Sequence, residues 1–330
     1  MPTDAAVSQP IILPWPLQDC LEAAVQALLQ SGDRDHIDFS RPAGEAAIVP
    51  PDSVSWRVFK NPVSLFIGGI AAVILELAEP RVRTGVWEHT SFRGNPVGRL
   101  RKTGLAALVT VYGPGSAAEA MISRVRRMHD RIAGTTPAGQ AYRANDPGLL
   151  NWVESTAALG FLQACHTYVR PIPRPARDRY YAEGAVAGRL YGATGAPASE
   201  AEVEAMLQSM RGRLERSDIV FEFLSIMHAA PVLPLLLKPV QHLLVRAAVE
   251  LTPRWARTIL AIDGHGLHAW EAELVRQLAG FADRFIVMSN PAVQACRRMG
   301  LPANYLYVDR PECIRERAGS IDRRAACPTA

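Results

Sequence analysis

Two neighbouring segments of this chain carry a guanidinium, an ammonium, a hydroxyl and an imidazole. Arg99, Lys102 and Thr103 lie in Arg99-Leu-Arg-Lys-Thr103, and His129 ends the run Arg124-Val-Arg-Arg-Met-His129. With 97–108 helical, Arg99, Lys102 and Thr103 stand at i, i+3 and i+4 and can address one ligand from one face. In the next segment Met121, Val125, Met128 and Ile132 form an apolar stripe, and His129 borders it, pointing toward the core, flanked by Arg124, Arg127 and Arg131. A neutral imidazole on an apolar face, with arginines nearby to pair with carboxylates, is the donor set that axial ligation of a haem with propionates requires. A histidine beside a helix stripe is also an ordinary hydrogen-bonded core residue. Lys102, one of only three lysines beside 33 arginines, reads equally as a surface cation or as a group with a role.

The elements that must position these groups read almost entirely as helices. Leu17, Leu21, Val25, Leu28 and Leu29 have helical spacing over 16–30, whereas 53–60 reads as a short irregular or strand-like piece. Val63 to Leu75 reads as a buried helix. Ser116 and Glu119 form a capping-box pattern that opens a helix from about 117 to 133, ended by Gly134. Asp146-Pro147 opens another, running to about Tyr168; Ser199 with Glu202, and Thr252 before Pro253, mark two more starts. Few windows alternate with period two, so the expected fold is all-α and a single globular helical domain. The expected organisation is an N-terminal helical extension over 1–50, a catalytic domain over 51–307 and a polar tail over 308–330.

Composition narrows the function. At 330 residues and 48% hydrophobic, the chain can bury a full-sized core. The net charge of +4 is small and the basic residues are interspersed with acids, so no nucleic-acid partner is expected. Five widely spaced cysteines without a C-x-x-C pair fit a reducing compartment. The N-terminus lacks a signal-peptide pattern, so a cytoplasmic location is expected. The longest apolar stretch falls short of the ~20 residues that span a bilayer. Peripheral membrane contact stays open, because 229–237 with Leu243, Leu244 and Val245 could expose an apolar surface. Nothing in the sequence sets the oligomeric state.

Other constellations are weaker. Asp263, His265, His268 and Glu271 lie close together, but Gly264 and Gly266 interrupt the helix and structural hydrogen bonding accounts for them. Tyr112-Gly-Pro-Gly115 lacks the Gly-Lys-Ser/Thr ending of a phosphate loop. No nucleophile elbow or dinucleotide fingerprint is present.

An ordered series of short elements carries a resemblance: Gly68-Gly69, Leu75-Glu-Leu-Ala-Glu-Pro80, Gly85-Val-Trp-Glu-His-Thr-Ser-Phe92, Asn95-Pro96, Arg99 to Thr103, Tyr112-Gly113, Arg124 to His129, Ala133-Gly134, Tyr142-Arg-Ala-Asn-Asp-Pro147 and Leu149-Leu-Asn-Trp-Val153. Over roughly residues 55–285 the chain resembles the MpaB and latex-clearing-protein (rubber oxygenase) catalytic-domain family. The resemblance implies a globin-reminiscent helical bundle binding haem b. It also implies a haem-dependent oxygenase that uses dioxygen on a small hydrophobic substrate, alkene or isoprenoid-like, with cleavage of C=C to carbonyl products. On the matching positions it implies His129 as the iron ligand, Arg99 as its paired arginine, and Lys102 and Thr103 as distal groups; Arg124 and Arg127, flanking His129, are the candidate partners of the propionates by their place in the sequence. An upstream glutamate serves as base in latex-clearing members; Glu79 is the best match here, with Glu76, Glu88 and His89 as competitors. Two departures bear on substrate and proton chemistry. Many relatives read His-Pro where this chain has Glu79-Pro80, and Trp-Val-His where it has Trp152-Val153-Glu154. Glu154 reads either as a proton or cation acceptor or as a solvated helix charge. Rubber itself is not expected, since polymer-cleaving relatives are usually exported. The alternative function is a non-catalytic helical protein that binds haem or a hydrophobic ligand.

Overall fold

The computed structural model describes residues 10–12, 14, 18, 19, 22 and 37–308. Among them thirteen α-helices and one two-stranded hairpin make an all-α single domain. A recurrent start signal explains several helices: an Asn or Asp whose side chain accepts the first free backbone N–H groups, followed by proline at the first helical position. Asn61 opens α2 (Pro62–Ala78), Asn95 opens α4 (Pro96–Tyr112), Asp146 opens α6 (Pro147–Ala164) and Asn290 opens α13 (Pro291–Arg298). Between these lie α1 (Val54–Val58), α3 (Pro80–His89) and α5 (Gly115–His129), the hairpin of β1 (Ala133–Thr135) and β2 (Ala141–Arg143), then α7 (Arg174–Tyr191), α8 (Glu200–Met210), α9 (Asp218–Ala229), α10 (Lys238–Leu251), α11 (Arg254–Leu260) and α12 (Ala269–Ala282).

The domain is organised on α2 and α6, its most extensive helix pair. They cross at two glycines. A Cβ on Gly160 would sit 2.4 Å from the Gly68 carbonyl oxygen, and one on Gly68 would sit 2.7 Å from that of Gly160, so only glycine allows this approach. The pair is antiparallel, since Lys60, just before α2, lies in the field of Cys165 and Arg170, just after α6. Helix α10 covers another side of α2. The hairpin-like unit of α4 and α5 packs on α1, α7 and α13 but shares no extended interface with α2 or α6. Arg298, 3% exposed, fastens α13 to this unit by donating to the carbonyls of Tyr112 (2.8 Å), Phe39 (2.7 Å) and Glu45 (2.9 Å).

Several local expectations change. Residues 54–58 are helical, with Ser53 as cap. The Ser116–Glu119 capping box is absent; Pro114 precedes α5 and the Ser116 N–H donates instead to Glu45, 71 residues away. That helix stops at His129, and the chain turns into the hairpin because Tyr142 packs over Gly134 and Gly85. Met128, expected in the core stripe, is 51% exposed, because the last turn of α5 projects past the buried Met121. Thr252 turns its hydroxyl back to the Ala248 carbonyl rather than capping α11. The helix expected over 16–30 and the tail over 308–330 lie outside the described residues, apart from 18, 19, 22 and 308. No single described helix is long and apolar enough to cross a bilayer.

Candidate cofactor site

Helix α4 sets the first half of the site. Asn95 caps it by accepting from the Gly98 N–H at 2.9 Å, and the next residue, Arg99, turns inward. Its guanidinium stands 5.8 Å from the Phe92 ring centroid, and its Nε is buried without a hydrogen bond. An unsatisfied buried donor is costly, so its persistence points to a partner outside the protein chain. Arg99 faces Glu76 of α2 and His129 of α5. Burial lowers the affinity of Arg99 for its proton and lifts Glu76 to about 7, and in each case their mutual attraction only partly opposes the effect. Both shifts run against those of a formed ion pair, and no hydrogen bond joins the two side chains. Glu76 and Arg99 share one poorly solvated space without neutralising each other.

His129 closes α5. A helix C-terminus favours imidazolium, yet burial first and the Arg99 charge second hold this ring below the ordinary histidine value. It is therefore neutral, with a ring nitrogen free to ligate, at neutral pH. Asn145 lies beside it. The Asn145 Nδ2 donates to the Arg126 carbonyl and to Asp130, which fixes the amide and leaves its Oδ1 buried and otherwise unbonded next to the imidazole. Asn145 was not singled out from the sequence, although it stands directly before the Asp146-Pro147 start signal.

The remaining expected residues fall into two groups. Lys102 and Thr103 are exposed, the Thr103 hydroxyl donating to the Arg99 carbonyl at 3.0 Å; Arg124 and Arg127 are exposed on α5. Glu79 is 1% exposed and committed, capping α3 by accepting from the Val82 N–H (2.8 Å) and from Arg81 Nε (2.7 Å). Glu88 and His89 are held by the Tyr142 hydroxyl. Those contacts leave Glu76 as the carboxylate of this group that faces Arg99.

Glu154 adds a second deep carboxylate. Burial alone lifts it to about 7, and nothing is bonded to it. Its chain lies on α7, with Cγ 3.0 Å from where a Cβ on Gly188 would stand, and Oε1 3.9 Å from the same point on Gly184. Because α2 and α6 are antiparallel and cross with Gly160 between Gly68 and Ala72, six residues along each helix bring Glu76 and Glu154 to the same height. On α4, Arg99 and Thr110 lie eleven residues apart and hence on one face. Thr110 is 2.9 Å from the Tyr191 hydroxyl, and Tyr191 lies in the field of Glu154. The inner face of α4 thus runs from Glu76, Arg99 and His129 at one end toward Tyr191 and Glu154 at the other. By helical spacing, Ala106 shares the face of Arg99 on α4, Gly69 that of Glu76 on α2, and Ala157 and Ala158 that of Glu154 on α6. Glu76, Glu154 and these residues are partly accessible.

Two other features lie apart. A surface cleft of about 460 Å³ between the 37–42 segment and the start of α5 is lined by Asp38, Arg41 and Pro114 and contains none of these groups. His268 caps α12 in a capping box with Glu271, and among the described residues no group of three or more His, Cys, Asp or Glu can hold a metal ion.

The all-helical domain thus places an imidazole, a guanidinium whose Nε has no hydrogen bond and two buried carboxylates along the inner side of α4. The chain belongs to the family described as ER-bound oxygenase mpaB/B'/Rubber oxygenase, catalytic domain, whose family model matches residues 56–284, and it therefore carries an oxygenase-family catalytic domain. Comparison with curated proteins and with solved structures gives no significant match, and the globin likeness rests on the sequence resemblance alone.

Proposed function

We propose that the chain is a haem b-dependent oxygenase acting with dioxygen on a small hydrophobic substrate bearing a C=C bond, cleaving it to carbonyl products. The observation that carries this reading is the neutral, half-buried His129 beside the unsatisfied Arg99 Nε, both inside the family-matched segment. A planar macrocycle suits a slot bounded by alanines and glycines, and its propionates suit an arginine with a free donor. When bound, haem supplies the iron at which dioxygen is activated.

The protein's own groups have separable tasks. One His129 nitrogen would hold the haem iron, and Asn145 Oδ1, buried and unbonded beside the imidazole, would accept the other ring N–H and so fix its tautomer. Arg99 donates to a propionate or to a developing oxyanion. Glu76, poised near neutrality and facing Arg99, would take a proton from the substrate carbon and return it to the product, because addition of dioxygen across C=C to give two carbonyls is proton-neutral overall; Glu154 is a second carboxylate able to hold a proton. Lys102 and Thr103 act at the rim. The small apolar lining excludes water and orients the alkene. A non-catalytic carrier has no need of two uncompensated carboxylates in its interior, which cost stability and are retained where proton transfer repays them. The test is spectroscopic and chemical: purified protein should show a Soret band that His129→Ala removes, and should convert an isoprenoid alkene to a split product pair that gains two oxygen atoms. Colourless protein that takes up no added haem overturns the proposal.

A further inference from the structure

The two most exposed large apolar side chains of the described residues are adjacent, with a third exposed leucine beside them, away from the cofactor site. Leu235, Leu236 and Leu237 are 83%, 92% and 46% exposed. They form a 3-10 turn flanked by Pro231, Pro234 and Pro239, which stiffen the backbone on either side. Lys238 pins the turn to the end of α9, its Nζ donating to the carbonyls of Ala229 (2.9 Å), Ala230 (2.5 Å) and His228 (3.4 Å). The leucines are therefore held outward rather than left to fold back onto the surface.

The surroundings indicate what meets them. Residues 223–249 contain no Asp or Glu; their ionisable side chains are His228, Lys238, His242 and Arg246. The Lys238 ammonium meets the carbonyl oxygens that end α9 and no carboxylate, so the segment keeps a net positive charge. The His228 and His242 rings stand 4.8 Å apart, with His265 near His228, and Arg246 is paired with Glu271 of α12. An exposed apolar tip whose own segment carries Lys238 and no acid matches a fluid lipid interface with anionic headgroups. A folded protein partner would need a matching groove.

We infer that the Leu235–Leu237 turn is a docking knob that seats the protein peripherally on a lipid surface carrying anionic headgroups. This goes beyond the oxygenase reading and does not depend on it. Full-length protein is floated with vesicles of phosphatidylcholine and phosphatidylglycerol, and with vesicles of phosphatidylcholine alone. Wild type partitions onto the mixed vesicles. The Leu235→Ser/Leu236→Ser double variant loses at least roughly tenfold in partitioning, each leucine being worth about a tenfold factor or more when transferred out of water. Added salt weakens wild-type binding to the mixed vesicles more than to phosphatidylcholine, and Leu274→Ser on α12 leaves both unchanged. The double variant alters side chains that are almost wholly solvent-exposed, so circular dichroism identical to wild type accompanies the loss. Wild type that stays off the mixed vesicles, a double variant that binds as wild type does, or leucine-dependent self-association without vesicle binding overturns the inference.

Discussion

Replacing Glu154 by glutamine separates an interior carboxylate from a surface one. In the folded chain burial lifts Glu154 from 4.5 to about 7, with no partner to offset it. Below pH 4.5 both folded and unfolded forms hold the proton and the group costs nothing. As pH rises toward 7 the unfolded chain releases its proton while the folded chain retains it, so stability falls; above 7 the loss is complete. The shift of about 2.5 units corresponds to roughly 3 kcal/mol, an upper figure because the side chain keeps some accessible surface. Glu154→Gln removes the titration without changing shape. Thermal melts of wild type and variant at pH 5 and pH 8, at matched cofactor content, should show a small difference at pH 5. At pH 8 the variant should melt higher by up to roughly 6 °C, at about 2 °C per kcal/mol for a chain of this size. An equal difference at both pH values would mean that Glu154 is solvated like a surface residue, and the slot as drawn would be wrong.

Two further outcomes follow from the same geometry. Gly160→Ala places a methyl 2.4 Å from the Gly68 carbonyl, forcing the central helices apart; a loss of about 3 kcal/mol or more in urea unfolding is expected, and a variant of wild-type stability refutes the close crossing. Glu76→Gln should leave the haem spectrum intact while lowering turnover, and should abolish the rise in rate with pH through about 7 that an ionising base produces; an unchanged profile removes Glu76 from proton transfer.

Much of the scaffold is legible in the sequence because its signals are local. Asp146-Pro147 and the Ser199 cap open helices where they stand, and Asn61-Pro62, Asn95-Pro96 and Asn290-Pro291 obey the same rule. What escaped is long-range. Glu45 supplies to α5 the acceptor that a local Ser-x-x-Glu pattern promised, and Glu79, attractive as a base by position, is consumed as a cap. In the site, His129 and Arg99 stand out by type and spacing, and the structure brings them into each other's field. Glu76 is one of several competing acids in the sequence and Glu154 reads two ways; the α2/α6 crossing and the glycines of α7 are what bury them. Asn145 is unremarkable as a letter; only the fold sets its Oδ1 beside the imidazole.

The proposal turns on His129 as a protein ligand to a haem iron held beside α4 and α5. The most direct measurement is the absorption spectrum of the purified protein beside that of His129→Ala, each after haem reconstitution, with circular dichroism to establish folding. A Soret band in wild type, lost or shifted to that of free haem in a folded His129→Ala variant, is the predicted result. A folded variant that keeps the wild-type spectrum, or a wild type that binds no haem, contradicts it.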